Sequence, residues 1–122
     1  MQTRRSKKTK KNPLPTVDQF LRYKPKRINS EWEKNFKGLV EIKIPKFQSR
    51  LGKSFCNVIK KDQNFIAHMD KIGSIVWANC DGVKTVEDIL KIVKKKFPKE
   101  ENIDQRLFLF IQQLGNLNYL NF

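Results

Sequence analysis

Two rhythms divide the chain. From residue 38 to residue 69 apolar positions alternate with polar ones, and from residue 70 to residue 117 they recur every three to four positions. Alternation marks a strand with one buried face, and the longer period marks a helix with a buried stripe. Val40, Ile42 and Ile44 oppose Leu39, Glu41 and Lys43 ahead of Pro45, which predicts a first strand that either lies at an edge or ends at its proline. Phe55, Asn57 and Ile59 alternate with Cys56 and Val58 as a weaker second strand, and residues 60–63 are expected to turn the chain. In the third strand, residues 64–69, Phe65, Ala67 and Met69 share one face, while Ile66 and His68 share the other.

The helical half carries its own punctuation. Asp70 is an expected N-cap, with Ile72, Ile75, Val76 and Cys80 at helical spacing behind it and Asp81-Gly82 as the stop, Gly82 taking the left-handed conformation. Thr85 followed by Asp88 is a relative of the capping box, Val86, Ile89, Leu90, Val93 and Phe97 make the buried face, and Pro98 ends the second helix. The expected fold class is therefore α+β, a three-stranded antiparallel sheet followed by three helices.

The last of these helices, residues 103–117, has more apolar residues than one face can hold. Ile103, Leu107, Phe110, Leu114 and Leu117 form a core stripe, which leaves Phe108, Leu109 and Ile111 in need of a second cover. Either an aromatic arm, running from Phe20 to Phe36 and including Trp32, covers them, or they form an exposed groove for a peptide. The chain thus divides into a disordered basic tail (residues 1–15), an arm packing on the domain (16–37) and the domain itself (38–122).

Charge sharpens this division. The net charge is +14, and residues 1–27 hold ten Lys/Arg against one Asp, so the tail region supplies most of it. Such a tail suits acidic partners, nucleic acid included, or serves as a solubilising segment. Cys56 and Cys80 stand apart without a CxxC pairing, which fits a reduced cytoplasmic chain and a core role for Cys80. His68 is the only histidine and has no partner in sequence for a metal or a catalytic triad. No catalytic residue, metal site or cofactor is expected, and no apolar run approaches the about 20 residues of a membrane span. The Asp residues at 70, 81 and 88 already have work as caps and turn.

The run HMDKIGSIVWANCDGVKTVEDILKIVKKKF resembles the PqqD family, with its strand leading into an Asp-initiated helix, its Asp-Gly turn and its Thr-capped second helix. YKPKRIN, GLVEIKIPKF and RLFLFIQQLGNLNYLNF are similar to further pieces of a stand-alone subgroup, so the resemblance spans residues 20–122. It implies a small winged-helix-like, non-catalytic domain that binds the leader of a ribosomally made precursor peptide. Such a domain presents its peptide to a modifying enzyme, commonly a radical S-adenosylmethionine protein. Carried onto this chain, the resemblance implies that a peptide adds as a strand beside the third strand, using Phe65, Ile66, Ala67, His68 and Met69, with Arg106 and Phe110 lining the groove against the last helix. The basic tail, the long arm and the Ala67-His68 pair depart from the family pattern and leave the client peptide open. A basic winged-helix protein that binds nucleic acid is the competing reading. It is weakened because the third helix offers only Arg106 as a cation, while Lys91, Lys94, Lys95 and Lys96 sit on the second helix as a solvated face.

Overall fold

A computed structural model describes residues 16–28, 31–44, 55–61 and 64–122. The basic tail lies outside these, as do Pro45 and residues 62–63 of the expected turn. The described chain is α+β: β3 (Val40–Ile44), β4 (Cys56–Lys61) and β5 (Asn64–Met69) lead into α2 (Lys71–Ala78), α3 (Val86–Lys96) and α4 (Ile103–Asn116). Ahead of them stand α1 (Val17–Leu21), β1 (Lys26–Arg27) and β2 (Trp32–Lys34), and β6 (Leu120–Asn121) follows.

The main sheet has four strands rather than the expected three. Its order is β2-β3-β5-β4, all antiparallel, because Trp32–Lys34 leaves the arm and pairs with β3, Trp32 opposite Ile42 and Lys34 opposite Val40. The turn between β2 and β3 is built on Asn35, whose side-chain oxygen accepts from Lys37 N–H (2.8 Å) and Leu39 N–H (3.1 Å), with Gly38 at φ +79°. This turn carries Phe36 out into solvent, 93% exposed, so Phe36 does not cover the domain as expected. Trp32 does pack inward, its ring edge-on to the buried Trp77 at 6.0 Å. Residues 60 and 61, expected in a turn, continue β4, and Lys61 pairs with Asn64.

The predicted caps hold the helices. Asp70 accepts from Gly73 N–H (2.8 Å), and Thr85 and Asp88 close a reciprocal capping box on α3. The end of α2 differs from expectation: the helix stops at Ala78 with Asn79 as C-cap, and Gly82 (φ +81°) lies beyond it. The cause is tertiary. Arg27 donates from its guanidinium to the Trp77 and Ala78 carbonyls (2.7 and 3.0 Å), satisfying acceptors that a helix terminus leaves open. Gly82 N–H meanwhile donates to the Pro25 carbonyl and Arg27 N–H to the Cys80 carbonyl, which pulls residues 80–82 away from the helix and against β1.

The core runs between the inner sheet face (Val40, Ile42, Ile44, Ala67, Met69) and the buried faces of the helices. The second cover of α4 is the arm, so the exposed-groove alternative for that surface does not hold. Phe20 is buried against Phe108 (5.4 Å, edge-on), Tyr23 and Phe122 pack beside it, and Ile111 is fully buried, while Leu109 stays exposed.

Candidate functional site

Backbone pairing decides which strand could take an additional one. The Phe55 carbonyl accepts from Asp70 N–H at 2.9 Å, so residues 55 and 70 form a hydrogen-bonded pair. Such pairs alternate along an antiparallel ladder, and the register then assigns Asn57–His68, Ile59–Ile66 and Lys61–Asn64 as the pairs that bond β4 to β5. On the far side, Asn35 N–H donates to the Leu39 carbonyl and Lys43 N–H to the Glu31 carbonyl, which commits the odd residues of β3 to β2. Ile42 and Ile44 are left to bond Ala67 and Phe65.

β5 therefore has no open edge. Its even residues are bonded to β4 and Phe65 and Ala67 to β3, so the expected addition of a peptide beside residues 64–69 is corrected by the strand order. Among the described residues the free edges of the sheet belong to β2 and β4. In β4 the parity directs the N–H and C=O of Cys56, Val58 and Lys60 away from β5.

The side chains singled out in the sequence separate into three groups. Ala67 and Met69 are core residues with no exposed surface. Ile66 and His68 lie on the outer sheet face, where His68 Nδ1 is 2.9 Å from Glu41 Oε2, an oxygen that also accepts from Asn35 Nδ2 (3.0 Å). Phe65 is half-buried on the inner face, with the Lys60 ammonium 5.9 Å above its ring.

Arg106 and Phe110 meet elsewhere, on Phe55 at the start of β4. The Arg106 guanidinium stacks 4.7 Å from the Phe55 ring and binds Glu100 Oε1 (3.0 Å) and the Glu101 carbonyl (3.4 Å). Phe110, only 1% exposed, stands edge-on to the same ring at 5.5 Å and acts as its support. Phe55, Val58 and Lys60 are not among the peptide-binding residues expected from the sequence, because strand order is a non-local property that alternation does not encode.

Residues 59–120 match the family model described as coenzyme PQQ synthesis protein D (PqqD). The chain belongs to the PqqD family. The match begins within β4 and takes in β5 and all three C-terminal helices, the segment with the clearest caps and spacing. No curated protein and no solved structure matches the chain. PqqD proteins are non-catalytic, peptide-binding partners of modifying enzymes, and membership supports a peptide-binding role here. Among the described residues no cluster of His, Cys, Asp and Glu has the makings of a metal site, and no helix is long and apolar enough to cross a membrane.

The two cysteines sit in the core as free thiols. Burial pushes both up to about 12, which keeps them protonated and unreactive near neutral pH. Cys80 is fully buried, and its thiol donates to the Val76 carbonyl (3.2 Å).

Proposed function

We propose that this chain is a winged-helix-like, non-catalytic module of the reducing cytoplasm that takes a precursor (leader) peptide as an added strand and presents it to a modifying enzyme of the radical S-adenosylmethionine type. Residues 38–122 act as the binding domain, residues 16–37 as the arm bracing it and residues 1–15 as a basic tail. The observation that supports the reading is the free edge of β4, in a family whose members bind peptides. Main-chain hydrogen bonds to Cys56, Val58 and Lys60 would supply affinity, and side-chain contacts beside the edge would supply selectivity. Arg106 and Phe110 contribute by holding Phe55 at the end of that edge.

Strand addition can be tested by isothermal titration of the chain with leader segments of candidate precursor peptides. Val58→Pro removes one outward N–H without breaking a ladder bond, so the fold should persist while affinity falls by about two- to tenfold, the worth of one hydrogen bond. Unchanged affinity in a folded Val58→Pro protein would move the peptide away from β4.

A further inference from the structure

We infer that the segment received at the β4 edge carries an acidic residue opposite Lys60 and, two positions away on the same face, an apolar residue opposite Val58. This rests on the β4-edge reading above and names the chemistry that edge selects. By register Cys56, Val58 and Lys60 share the inner face with Met69, Ala67 and Phe65, so their side chains lie about 7 Å apart along the strand, as do residues i and i+2 of an added strand.

Three features set the preference. Among the described residues Lys60 makes no ion pair, as is also true of Lys43 and Lys71, and it is the cation that β4 itself carries beside the open positions 56 and 58. The Lys60 ammonium lies 5.9 Å over the Phe65 ring of β5, which places that charge on the inner face, the face that the alternate side chains of an added strand would share. Val58, although on the core-facing side, is only half-buried, while Ala67 of the neighbouring β5 and Val40 and Ile42 of β3 beyond it are wholly covered; a peptide side chain laid beside Val58 would complete its cover. At the opposite end the Arg106 charge is already met by Glu100. The charge preference is therefore one-sided, acidic toward Lys60 and indifferent toward Arg106.

Selection of a display library of random 12-residue segments against the full chain, with Lys60→Glu and Val58→Pro proteins selected in parallel, tests this. The expected result is enrichment of segments with one acidic and one apolar residue separated by a single position. In a selected peptide, exchanging the acidic residue for its amide should weaken binding about two- to fivefold, the range of a surface ion pair, and should have no effect on the Lys60→Glu protein. On Lys60→Glu the acidic residue should give way to Lys or Arg with the apolar one retained. Enriched segments without the acid, or an acid preference that survives Lys60→Glu, overturn the inference. No enrichment at all, or binding that persists when alternate peptide amides are N-methylated in either phase, overturns strand addition instead. Lys60→Glu is at an exposed position, so the charge question is decided even if Val58→Pro does not fold.

Discussion

The Phe55 carbonyl accepts from the Asp70 N–H at 2.9 Å, so the residue that leads into β4 also fixes where α2 begins. Gly73, whose N–H caps back to Asp70, sits directly over the same carbonyl: a Cβ added at Gly73 would lie 2.5 Å from Phe55 O. Sheet and helix approach this closely because position 73 has no side chain.

The first prediction contrasts two helical glycines. Gly73→Ala should destabilise the chain by about 1–3 kcal/mol, because the obstacle is backbone that cannot move without disturbing both β4 and α2. At Gly115 the nearest atom is Phe122 Cε2 at 2.6 Å, the far end of a half-exposed ring that can swing aside, so Gly115→Ala should change stability by less than about 1 kcal/mol. Chemical denaturation of both variants checks this, and equal losses would contradict it.

Proline at position 66 gives the second. Ile66 N–H belongs to the ladder with Ile59 in the interior of the sheet, so Ile66→Pro should cost about 3 kcal/mol or more and lower the urea midpoint sharply. A normal midpoint for Ile66→Pro would show that β5 has a free edge after all.

The helices were readable from sequence because their signals are local: Asp70, Thr85 with Asp88, and the 86, 89, 90, 93 stripe all act within a turn or two. The sheet was half readable. Alternation found β3, β4 and β5, yet it says nothing of which strand lies between which, and Trp32–Lys34, with one apolar residue in three, gave no strand signal of its own. That missing strand matters little for β5, whose two edges are already filled by β3 and β4. The surplus of apolar residues on α4 was visible as a surplus, but its cover by Phe20 depends on a contact 88 positions away in sequence.

Gly82 supplies the third prediction. At φ +81° a β-branched residue is strained, and a Cβ there would press on the Lys26 side chain at 3.2–3.3 Å. Gly82→Val should therefore cost on the order of 1–2 kcal/mol. Thermal melts check it, and an unchanged melting temperature would contradict it.

The fourth concerns pH. Asp81 accepts from Val83 N–H and Lys84 N–H and pairs with the Lys84 ammonium, and the Lys84 and Val83 hydrogen bonds hold its carboxyl well below the usual carboxylate range. A depressed folded-state value means that the stabilisation is full above the unfolded value of about 3.9 and is lost as pH falls through the folded one. Asp81→Ala should melt earlier than the parent at pH 7, and the gap should narrow as the pH is taken from 4 to 2. A gap independent of pH would assign the effect to packing.

The arm and the C-terminal strand are fastened to each other as well as to the domain. β1 pairs with β6, Arg27 opposite Leu120, while Ile28 N–H donates to the Tyr119 carbonyl and Tyr23 accepts from Val86 N–H at the first turn of α3. Segments nearly a hundred residues apart thus share one set of bonds, and neither can fray while the other stays docked. In hydrogen exchange the amides of Arg27, Ile28 and Val86 should then open with a single common free energy, as one cooperative clasp that ties the two ends of the described fold together.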